Sequence, residues 1–150
     1  MIEFKYNDGG RKEAGRKGDT GDCVCRAIAI ASGTPYEEVY ARLAEGNAAQ
    51  RRGKRPSSAH GKRTASQGIL TKRKWFKDLM AEMGFVWTPT MGVGTGCQVH
   101  LKADELPAGH IICSVSKHYV AVIDGVIHDT HDCSRGGTRC VYGYWTFSGA

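Results

Sequence analysis

No stretch of this 150-residue chain approaches the ~18 consecutive apolar residues that a bilayer-spanning helix needs. The opening residues, Met1-Ile2-Glu3-Phe4-Lys5-Tyr6-Asn7-Asp8, lack the order of a secretory signal, in which basic residues precede an apolar run. A cytoplasmic location is therefore expected, with the six cysteines mostly reduced, although their even number leaves disulfides open. There is no CxxC pair and no internal repeat. Charged residues at 24% and hydrophobic residues at 41% are globular proportions, which argues against wholesale disorder or a coiled coil. Acidic residues are missing altogether between Glu45 and Asp78. Ten of the 21 Lys and Arg residues fall between Arg51 and Lys77; the other eleven face 15 acidic residues, so the rest of the chain is net negative by four. The overall charge of +6 belongs to one segment.

What is abundant is glycine, at 20 residues, which favours a turn-rich α+β protein over a helical bundle. A short strand is expected at Ile2 to Tyr6. Asp22 stands in N-cap position before a helix over Cys23 to Ser32, whose Val24, Ala27, Ile28 and Ala31 share the apolar stripe, and Gly33 closes it. Thr34-Pro35-Tyr36-Glu37 combines a capping-box pair with Pro at the first helical position and opens a second helix ending at Gly46. Residues 47–70 have no periodicity and read as a long, basic, exposed loop. A third helix is expected over Lys72 to Met83, stopped by Gly84. Strands follow at Phe85–Thr88, Cys97–Leu101, Ile111–Val115, His118–Ile123, Val126–Thr130 and Cys140–Phe147. The sequence thus predicts one α+β domain over residues 1–150, with N-terminal helices packed on a C-terminal antiparallel sheet.

Asp124-Gly125 is the strongest hairpin signal, a two-residue type I′ turn that pairs Ile123 with Val126. That register puts Val120 opposite Asp129 and His118 opposite His131, all four on one face, with His118 and Asp129 diagonal neighbours. A carboxylate so placed can orient an imidazole. Cys23, at a helix N-terminus, lies near the positive end of the helix dipole and near amide groups able to bind an oxyanion. Cys25 is rotated about 200° away around the helix and reads as a core thiol.

Gly21-Asp22-Cys23-Val24-Cys25-Arg26-Ala27, then His118-Tyr119-Val120-Ala121-Val122 and Asp129-Thr130, resemble the motifs of papain-like cysteine peptidases. The likeness is strongest to compact bacterial members such as the bacteriocin-processing peptidase domains. The chain is also similar to small uncharacterised bacterial and phage proteins with a Gly-Asp-Cys-Val-x-Arg-Ala opening. The resemblance implies a papain-like fold in the cytoplasm of a bacterial or phage host cell. It also implies Cys23 as nucleophile, His118 as general base and Asp129 as the residue that orients it. Papain-like enzymes carry an oxyanion-hole Gln six residues before the nucleophile; here Lys17 holds that place, so Thr20, Asp19 or a backbone amide would substitute.

Two rival assignments use overlapping residues. His128, His131, Asp132, Cys133 and Cys140 are zinc-ligand types, but strand alternation separates His128 from His131. The 51–77 basic segment suits nucleic-acid phosphates or an acidic protein surface, though only Trp75 and Phe76 interleave it. His60, His100 and His110 have no partner legible in the sequence. The favoured expectation is thiol-based hydrolysis or acyl transfer on a peptide or isopeptide-like bond of a protein or peptide substrate, with no cofactor or metal. The alternative is a non-catalytic binding module on a peptidase-like scaffold, such as a phage effector of a host protein or a polyanion binder.

Overall fold

A computed structural model describes residues 2–10, 12, 22–49, 73–92 and 94–148. Three α-helices are described: α1 (Cys23–Ser32), α2 (Tyr36–Ala49) and α3 (Lys74–Glu82). The strands are β1 (Glu3–Tyr6), β2 (Phe85–Pro89), β3 (Val99–His100), β4 (His110–Val115), β5 (His118–Ile123), β6 (Val126–Asp129), β7 (Cys140–Val141) and β8 (Gly143–Phe147). None of the described helices is long and apolar enough to cross a membrane.

The Asp124-Gly125 turn does what its sequence demands. Both residues take positive φ, 48° and 79°, and Ile123 pairs with Val126, Val122 with Ile127 and Ala121 with His128. Around this hairpin grows a six-stranded sheet in the order β1-β6-β5-β4-β8-β2, with β3 and β7 forming a separate pair. The fold is α+β, but the sheet is mixed and not purely antiparallel, because β1 joins the edge parallel to β6. A strand that leaves the sheet through helices before the hairpin is made is free to return in either sense.

Alternation along the strands divides the core in two. Ile112, Tyr119, Ala121 and Trp145 bury against α1, α2 and α3 through Val24, Ile28, Val39, Leu43, Phe76 and Met80. Ile111, Val120, Val122 and Ile127 face the other way, onto Ile2, Leu101, Cys133 and Val141. Gly33 closes α1 as expected, with φ 71° and its N–H bonded to the Ala29 carbonyl.

Two boundaries differ from expectation for packing reasons. Gly46 does not end α2, which runs on to Ala49; a Cβ at Gly46 would overlap the Trp75 ring, so the glycine makes room for a neighbour. The expected strand Cys140–Phe147 splits at Tyr142, because Cys140–Val141 pairs with β3 whereas Gly143–Phe147 lies between β4 and β2. Gly143 sits against the Trp87 ring, with no space for a side chain. Cys97 and Cys140 form a disulfide, and Cys23, Cys25, Cys113 and Cys133 are free thiols.

Candidate active site

The N-terminus of α1 packs on the β5–β6 hairpin, which brings Cys23 to the start of β5. Asp22 makes no side-chain capping hydrogen bond. Its carboxylate is fully buried and accepts from Arg26 Nη1 at 2.5 Å and from the Tyr36 hydroxyl at 2.6 Å. Asp22 and Arg26 are one helical turn apart, the spacing at which such a pair meets. The guanidinium continues through Nη2 to Asp129 Oδ1 at 3.4 Å.

Asp129 ends β6. Its Oδ1 also accepts from the Thr130 amide at 2.7 Å, and its Oδ2 lies 2.6 Å from His118 Nε2. A run of polar contacts therefore passes from Tyr36 through Asp22, Arg26 and Asp129 to His118, almost all of it buried. Charges out of water need this many partners; a lone buried ion costs several kcal/mol.

Burial alone would raise the Cys23 thiol. The hydrogen bond and positive charge of His118, the Tyr119 backbone and the Arg26 charge outweigh it, and the thiol sits below its ordinary value. Burial pulls the His118 imidazolium down, but hydrogen bonds to Asp129, Cys133 and Cys23 push it up to about 11. Burial likewise raises Asp129; His118, the Thr130 amide and Arg26 more than offset this and keep its carboxyl below the usual range. Cys113, by contrast, is driven far up by burial and then by the charge of Cys133. The Cys23 thiol at the start of α1 and the Cys113 thiol on β4 thus have opposite character.

The structure brings Cys23, His118 and Asp129 together, and Cys25 is wholly buried with its thiol on the Tyr36 carbonyl at 3.8 Å. The rival zinc set does not assemble among the described residues. His128 Nδ1 meets Asn7, and Cys140 is tied to Cys97. The group that does converge is His118, Asp129 and Cys133. His131 lies beside this cluster, its ring centroid 5.3 Å from that of His118. His100 and His110 have partners outside this cluster, Glu105 and the Ala31 carbonyl. Lys17, Asp19, Thr20 and Gly21, His60, and the basic segment as far as Lys72 lie outside the described residues. Of the segment's remaining cations, Lys74 is paired with Asp78 at 2.8 Å.

Sequence reasoning gave Arg26 no role and named Cys133 only among zinc-ligand types, apart from His118 and Asp129. The Asp22–Arg26 spacing was the available signal for the first. Cys133 had none, because its position depends on the turn after β6, where Asp132 Oδ1 accepts from the Ser134 amide and hydroxyl at 3.0 and 2.7 Å. Compared with family models, curated proteins and solved structures, the chain has no match.

Proposed function

We propose that the protein is a thiol-dependent hydrolase or acyl transferase of papain-like type, acting on a peptide or isopeptide-like bond in a bacterial or phage-host cytoplasm. One observation carries the reading: a thiol at a helix N-terminus lies beside an imidazole that a buried carboxylate holds at 2.6 Å. That is the nucleophile, base and orienter required for acyl transfer.

Asp129 accepts the His118 Nε2–H and fixes the tautomer, which leaves Nδ1 to exchange a proton with Cys23. The thiolate attacks the carbonyl carbon, a C–S bond forms, and the carbonyl electron pair moves to oxygen. Amides of the first turn of α1 and the helix dipole favour negative charge there. Collapse of the adduct breaks the C–N bond, and the amine leaves with the proton from His118. Water, deprotonated by His118, then attacks the thioester, releasing the acid and restoring Cys23. Arg26 works at one remove, keeping Asp129 ionised and in place.

Intact-mass analysis after incubation with an activated acyl ester tests this. One acyl group is expected on Cys23, absent in Cys23→Ala and formed roughly 10²–10⁴-fold more slowly in His118→Ala. No adduct, or one formed equally fast without His118, contradicts the proposal and leaves a binding module as the better reading.

A further inference from the structure

Cys133 takes no part in the acyl-transfer chemistry, yet it is buried inside the same site. Its Sγ, a ring nitrogen of His118 and a carboxylate oxygen of Asp129 all lie within 4.8 Å of one another. Asp129 and Cys133 are held from behind. Asp129 Oδ1 is engaged by Arg26 and the Thr130 amide, so Oδ2 is the oxygen that faces the trio. Cys133 is fixed by the Asp132–Ser134 turn.

We propose that His118, Asp129 and Cys133 form a binding site for Zn²⁺ or a similar borderline divalent cation, and that occupancy takes His118 out of proton exchange with Cys23 and switches the nucleophile off. One imidazole, one carboxylate and one thiolate, with a fourth position left for water, is a donor set that suits zinc. Calcium and magnesium require a shell of oxygen ligands, of which this trio supplies one. Zinc–ligand bonds of about 2.0–2.3 Å in tetrahedral array place the donor atoms roughly 3.3–3.6 Å apart. The His118–Asp129 contact must therefore open from 2.6 Å by less than an ångström while Cys133 closes in. Zinc takes the place of one proton on the imidazole and one on the thiol, so the charge facing Arg26 does not change. The binding claim stands without the peptidase reading; the switching claim rests on it.

The full-length chain is titrated with zinc against a chromophoric chelator, as wild type and as Cys23→Ala, His118→Ala, Cys133→Ala and Cys133→Ser. One zinc per chain is expected in the wild type and in Cys23→Ala, with affinity falling roughly 10–100-fold or more in the other three. Cobalt bound to Cys23→Ala should show thiolate-to-metal charge transfer, which reports a second thiol ligand. Zinc lost from Cys23→Ala but kept by both Cys133 variants would mean capture by the nucleophile and would overturn the site, as would no binding in the wild type. The switch is read by alkylation of Cys23 with iodoacetamide, which zinc should slow in the wild type and much less in Cys133→Ser. Equal slowing in both overturns it. Acylation of Cys23, measured separately with chelator present, tells a failed peptidase reading from a failed metal site.

Discussion

The two ends of the sheet are built on different principles. Where α1 overhangs β5 and β6, Asp22, Arg26 and Asp129 are buried with exposures of 0, 7 and 3%, and His118 is nearly so. Where β2 and β8 form the far side, the contacts are between rings: Phe85 with Phe147 at 5.1 Å and Trp87 with Trp145 at 5.0 Å. Aromatic packing stabilises with little demand on the exact partner, and conservative repacking is tolerated. A chain of buried charges adds little net stability over an apolar core, but each member fails if its neighbour moves. One end holds the fold, and the other holds a geometry.

The sharpest way to break this comparison is to damage both ends equally and read the thiol. Arg26→Met takes the guanidinium from two buried carboxylates, Asp22 and Asp129, and should cost about 3–5 kcal/mol in denaturant unfolding. Phe85→Ala should cost a similar amount, about 3–5 kcal/mol, by opening a cavity. Cys23 alkylation in the folded protein should slow markedly in the first and stay unchanged in the second. Equal effects on the thiol would dissolve the distinction.

The pH dependence of stability gives a smaller effect confined to the charged end. Asp129 has a lowered native value, so its contribution is complete above the ordinary carboxyl range and is lost as acid takes the pH down through that native value. His118, raised from 6.5 to about 11, contributes in full below 6.5 and loses that contribution as the pH climbs towards 11. Cys23, lowered from 9.0, has the opposite slope between its native value and 9.0. Above both that native value and 6.5, and below 9.0, the native pair and the unfolded pair each hold one proton, so wild-type stability should run flat there, then fall above pH 9. Removing the thiol with Cys23→Ala should make the fall begin near pH 6.5. Urea unfolding from pH 5 to 10 checks both curves; the same flat stretch in Cys23→Ala would contradict the account. The smallest expected change is at the aromatic edge. Trp87→Leu, at a ring 40% exposed, should cost about 0.5–1.5 kcal/mol with no change in that pH profile.

Much of this was legible in the residues because local rules decide it. Asp124-Gly125 dictates a turn, the turn dictates a register, and the register puts His118 beside Asp129. Cys23 opens α1 because the apolar stripe begins there. What escaped depends on contacts distant in sequence. The parallel pairing of β1 with β6 joins residues more than a hundred positions apart, and the seat of Trp75 on Gly46 needs two helices in place. Asp22 looked like a cap because the residue type and position fit one, but Arg26 and Tyr36 compete for the same carboxylate and win. Cys133 enters the site only through a loop whose path no periodicity describes.

The most direct test of the central claim is the rate of Cys23 alkylation from pH 5 to 9, followed by peptide mapping in the wild type and in His118→Ala. An ion-paired Cys23 should react through a pKa below the free-thiol value of about 8.5, and at pH 6–7 it should label well ahead of Cys25, Cys113 and Cys133. In His118→Ala burial should prevail, and the profile should move up into or above the ordinary thiol range. A Cys23 that labels no faster than the other three thiols, with a profile unmoved by loss of His118, would contradict the account.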